Sequence, residues 1–105
     1  MATISYASQD GPVLDCSNSL LRGIAERALL NTQDLAFIGA LKEIEWLGDI
    51  DLYLFPAKCR MIFAQAADAL ADDVEACSGE FSEYVSRTRH IALEVRNTVK
   101  KEGNL

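Results

Sequence analysis

From Leu20 to Val99 the apolar residues of this chain return at every third or fourth position, and alternation by twos is confined to one short stretch. That spacing gathers them on one side of a helix, and such a side needs a neighbour to cover it. The chain is therefore read as all-α: a small antiparallel bundle of about four helices, joined by short connections. Residues 1–16 are read as an irregular N-terminal arm and 17–102 as the helical bundle domain. In the arm, Ile4, Tyr6, Val13 and Leu14 stand isolated among Ser, Gln and Asp, and Gly11-Pro12 marks a turn.

The first helix begins at Ser17 or Asn18, either of which can accept a free backbone N–H, and carries Leu20, Leu21, Ile24, Ala25 and Ala28. Asn31-Thr32 stops it. Thr32 is the expected cap of the second helix, with Asp34 in its first turn, where the dipole favours negative charge. Phe37, Ile38, Leu41, Ile44 and Leu47 line one face of that helix. Trp46, Ile50, Tyr53 and Leu54 widen its apolar girth beyond half the circumference, which asks for burial on most sides or for a second partner. Residues 50–55 partly alternate, but with no other strand to pair with they are read as helix, with Gly48-Asp49 as a kink or break. Pro56 separates the third helix, whose stripe is Cys59, Ile62, Phe63, Ala66, Leu70, Val74 and Cys77. Gly79 ends it; without that break, helices three and four would be one rod. The fourth helix repeats Phe81, Val85, Thr88, Ala92, Val95 and Val99 near heptad spacing and closes on Lys100-Lys101-Glu102-Gly103.

Half of the 105 residues are apolar and a quarter charged, enough apolar surface to offset the ordering entropy of folding. No run approaches the ~20 apolar residues that cross a bilayer. The formal charge of −6 repels nucleic acid and anionic lipid at long range, so direct nucleic-acid binding and membrane binding are disfavoured. Cys16, Cys59 and Cys77 are odd in number and widely spaced. They read as free thiols rather than a disulfide framework or zinc site. The first residues lack a basic and then apolar leader, and a cytoplasmic location is expected.

Residues that carry catalysis or bind cofactors are scarce. His90 is the only histidine, and Glu94 four residues on is its nearest candidate orienting carboxylate. One histidine cannot furnish the paired motifs of a di-iron bundle, no glycine-rich phosphate loop occurs, and Asp49-Ile-Asp lacks the Gly and Glu of a calcium loop. The expectation is a non-enzyme with no cofactor and no metal.

Two surfaces remain. Asp68, Asp72, Asp73 and Glu75 crowd the third helix, and no Lys or Arg lies between Arg60 and Arg87. They read as a solvated face, as a contact for a basic partner, including the chain's own Arg87, Arg89, Arg96, Lys100 and Lys101 in a hairpin or a homodimer, or as weak, nonspecific binders of divalent ions. Trp46, Tyr53 and Phe55 gather near the end of the second helix and read as core or as an interface hot spot. The functional expectation is a protein–protein interaction module that self-associates and binds an unidentified protein partner. The alternatives are an acidic nucleic-acid mimic inhibiting a nucleic-acid-handling enzyme and a small-ligand-binding bundle.

Overall fold

The computed structural model describes residues 1–77 and 82–103. Four helices make up most of them: α1 (Asn18–Leu29), α2 (Leu35–Leu47), α3 (Ala57–Cys77) and α4 (Ser82–Gly103). A three-stranded sheet accompanies them, built from β1 (Ala2–Ser5), β2 (Val13–Cys16) and β3 (Asp49–Asp51) in the order β2-β1-β3. The all-α expectation therefore holds only in its helical part.

The segment read as an irregular arm supplies two of the strands. β1 and β2 form an antiparallel hairpin that pairs Ala2 with Cys16 and Ile4 with Leu14, while β3 runs parallel to β1 and pairs Ile50 with Ile4. Alternation then sends Ala2, Ile4 and Tyr6 into the interior. They join the same core as Leu20, Leu21, Ile24, Phe37, Leu52, Phe63 and Val95. Each such large side chain contributes ~1.5–3 kcal/mol by leaving water.

The expected continuation of the second helix through residue 55 is also corrected. Gly48 takes a left-handed conformation (φ 68°), and its N–H caps the Ile44 carbonyl at 2.9 Å, which ends α2. The chain then enters β3 and a single 3-10 turn, Leu52–Leu54. The partner of this strand is β1, in the segment read from sequence as an arm.

Local chemistry sets the other boundaries. Ser17 caps α1 by accepting from the Leu20 N–H at 3.2 Å. Asp34, not Thr32, caps α2, accepting from the Phe37 N–H at 2.9 Å, and the Thr32 hydroxyl accepts from Asp34 N–H. The Pro56 carbonyl accepts the first bonds of α3. Buried Ala64, Ala66, Ala67 and Ala71 let α3 approach both α1 and α4 closely. Gly23 of α1 packs so tightly on Leu70 that an added Cβ would lie 3.0 Å from its nearest methyl.

Helices α3 and α4 lie antiparallel, since Arg60 at the start of α3 meets Glu102 at the end of α4 and Asp72 meets Arg89. They are two helices, not one rod. The expected stop at Gly79 and the first seam residue, Phe81, lie outside the described residues. Val85, Thr88, Ala92 and Val95 are buried as their spacing requires. Cys77, placed on the apolar stripe of α3, is exposed.

Candidate functional site

The acidic face of α3 meets the chain's own cations. Asp68 pairs with Arg96 and Arg89, Asp72 and Glu75 share Arg89 at 2.8 and 3.0 Å, and Asp73 pairs with Arg27 of α1 at 2.8 Å. The two carboxylates holding Arg89 raise its pKa further and keep it charged. Of the acidic and basic blocks expected to pair in a hairpin or a homodimer, Asp68, Asp72 and Glu75 thus meet Arg89 and Arg96 within one hairpin, while Asp73 turns to α1 and Arg87 pairs with Glu83 of its own helix. Exposed pairs stabilise by only ~0–1 kcal/mol each, so the effect of those between α3 and α4 is to fix the register of the two helices. Arg27 had no signal in the sequence, because its partner lies far along the chain.

Trp46, Tyr53 and Phe55 do not form one cluster. Because α2 ends at Leu47, the chain turns between them. Phe55 is half-buried against Phe37, with ring centroids 5.2 Å apart, and Tyr53 is half-buried in the 3-10 turn. Trp46 is 84% exposed, which is unusual for a residue so often buried. It borders an open groove of about 390 Å³ between α1 and α2, where Leu29 lies among Arg22, Lys42, Glu26 and Glu45.

A second groove, of about 350 Å³, runs between α2 and β3. Leu35, Leu47 and Leu54 stand 84%, 64% and 67% exposed along it. Ala36, Gly39, Ala40 and Phe55 also line it, together with three carboxylates, Glu43, Asp49 and Asp51, and no Lys or Arg. Among the described residues none of these carboxylates has an ion-pair partner, in contrast to those of α3. Sequence reasoning did not isolate this groove, although the excess apolar girth of α2 was its trace.

The reactive groups are dispersed or masked. His90 is exposed on α4, and Glu94 accepts from the Tyr6 hydroxyl at 3.4 Å. Burial and the Glu94 charge raise the Tyr6 pKa. Asp15 of β2, Ser86 and His90 border one shallow hollow, yet no hydrogen bond joins them among the described residues. Burial pushes the Cys16 thiol up to about 11, and burial with Asp34 beside it pushes Cys59 up, so both stay protonated at neutral pH.

Arg60, which the sequence marks only as the last cation before the acidic stretch, is 6% exposed. Its Nε donates to the Phe55 carbonyl at 2.9 Å and its Nη2 to Glu102, while its buried Nη1 has no partner among the described residues. It anchors the segment carrying Phe55 to the α3–α4 pair.

Fold and surface together define a small, mostly helical chain with a three-stranded sheet and open, partly apolar grooves flanking α2. No helix of the described residues is long and apolar enough to cross a membrane. No protein family, characterised protein or solved structure gives a significant match to the chain.

Proposed function

We propose that this protein is a non-catalytic interaction module that self-associates through the Trp46 surface. The observation that carries the reading is the 84% exposure of the chain's single tryptophan at the mouth of an open groove. Tryptophan dominates the energetics of protein interfaces once buried there. The charges around it are mixed, Arg22 and Lys42 with Glu26 and Glu45, so a two-fold pair of copies can set each cation against the other copy's carboxylate. Each indole would enter the groove of its partner. The protonated Cys16 and Cys59 and the unlinked His90 support a module that works by contact rather than by bond chemistry. The α3 carboxylates lend less support to nucleic-acid mimicry, because each already has an arginine of its own chain.

Sedimentation velocity over a range of concentrations tests the proposal. A concentration-dependent dimer that Trp46→Ser returns to monomer is the expected result. A wild-type protein that stays monomeric throughout, or a dimer indifferent to Trp46→Ser, overturns it.

A further inference from the structure

We infer that the groove between α2 and β3 docks a short cationic segment of a partner protein, with apolar side chains set among Leu35, Leu47 and Leu54. The inference rests on reading the chain as an interaction module, but not on its self-association. Three large aliphatic side chains exposed around one depression form a patch that soluble surfaces tend to bury in a contact. The charge of the rim selects the occupant. Glu43, Asp49 and Asp51 contribute negative charge only, and no cation of the chain neutralises them among the described residues. A second copy docked face to face would oppose these carboxylates to themselves, at a cost in repulsion. Lysine or arginine flanking apolar residues would instead meet all three. The sheet order leaves β3, which lines the groove, paired with a strand on one side only.

The contrast with α3 is what gives the groove its specificity. Both surfaces are rich in carboxylates, but those of α3 are engaged by Arg27, Arg89 and Arg96, and among the described residues no cluster of exposed leucines like that of the groove adjoins them. Of these two surfaces, the α2–β3 groove is the one that offers a cationic segment both an unmet charge and an apolar seat.

The test is a titration of the ¹⁵N-labelled full chain with three synthetic peptides, followed by NMR. One peptide combines Leu, Ala and Lys, the second replaces every Lys by Glu, and the third replaces every Leu by Ser. Only the Leu/Lys peptide is expected to saturate, shifting the amides of Gly39, Leu47 and Asp49 to Leu54. Asp49→Asn with Asp51→Asn, and separately Leu47→Ser with Leu54→Ser, should each weaken it by about tenfold or more. These side chains are exposed, so the variants are expected to fold, and circular dichroism checks that they do. Absence of binding overturns the inference. So does equal binding of the Lys/Ser peptide, a footprint on Asp68 and Asp72 instead, or indifference to both variant pairs. Sedimentation of the same samples separates the two readings. A monomer that binds the peptide leaves this inference standing and removes self-association, whereas a dimer that ignores it does the reverse.

Discussion

Arg60, in the first turn of α3, donates from Nη2 to Glu102, in the last turn of α4, and so closes the far end of the helical hairpin from the α3–α4 connection. The guanidinium is buried and the carboxylate half-exposed. Glu102→Gln would leave a buried charge without its counter-ion, at an expected cost of ~1–3 kcal/mol in chemical denaturation. Arg60→Met combined with Glu102→Gln should recover part of the loss, because the combination buries no unpaired charge. The hydrogen bond from Arg60 holds the Glu102 pKa below its ordinary value of 4.5. Its contribution is therefore complete above that value and is lost as pH falls through the lowered one. Wild type should lose stability more steeply than Glu102→Gln on acidification in that window, and parallel curves would refute the coupling.

Gly48 sets where α2 stops and β3 begins. At φ 68° any side chain is strained, although a Cβ there would meet only Asn18 Oδ1, at an ordinary 3.6 Å. Gly48→Ala should therefore cost ~1–2 kcal/mol through backbone conformation and not through a clash. A thermal melt unchanged from wild type would contradict this geometry.

Most of what the sequence makes legible is local. Asp34 takes the cap expected of Thr32 and Cys77 is exposed, but the Ser17 cap, the Pro56 boundary and most of the buried positions of α3 and α4 follow from residues within a turn or two of one another. The sheet does not. Ile4 is a strand residue because it pairs with Ile50 on one side and Leu14 on the other. β3 has only three residues, too few to carry a period of its own. Residues 49–51 are readable as strand only through their pairing with β1, and without it their apolar residues continue the pattern of α2. Of the candidate surfaces, the sequence marks Trp46 and the carboxylates of α3 by residue type alone, but which carboxylates keep a free charge depends on Arg27, Arg89 and Arg96 reaching across helices. The α2–β3 groove exists only because the chain reverses at Gly48.

The cysteines should separate by accessibility. Cys77 is exposed, whereas Cys16 and Cys59 are buried and held as thiols. A thiol-specific reagent at neutral pH should modify one cysteine rapidly and the other two only as the protein unfolds. Cys77→Ser should abolish the rapid phase. Rapid modification of two or three thiols in wild type would contradict the burial of Cys16 and Cys59.

Salt should separate the two proposed contacts. Two copies of charge −6 repel at long range, while Arg22 and Lys42 of each face Glu26 and Glu45 of the other, so screening acts in both senses and the dimer should respond weakly to salt. Binding of the Leu/Lys peptide rests on Glu43, Asp49 and Asp51 and should weaken in the same salt series. Sedimentation and calorimetry across that series check both slopes, and a peptide affinity no more salt-dependent than the dimer would show that its contact is wrongly assigned.

The central claim, that apolar surface left open around α2 is covered by association, can be read from the fluorescence of Trp46. It is the chain's only tryptophan and is 84% exposed in a single subunit. As the protein is concentrated, the emission is expected to move from that of a solvated indole to shorter wavelength, with a midpoint matching the dimerisation seen by sedimentation. An emission that stays at the solvated position at every concentration, while the protein remains folded, would contradict the claim.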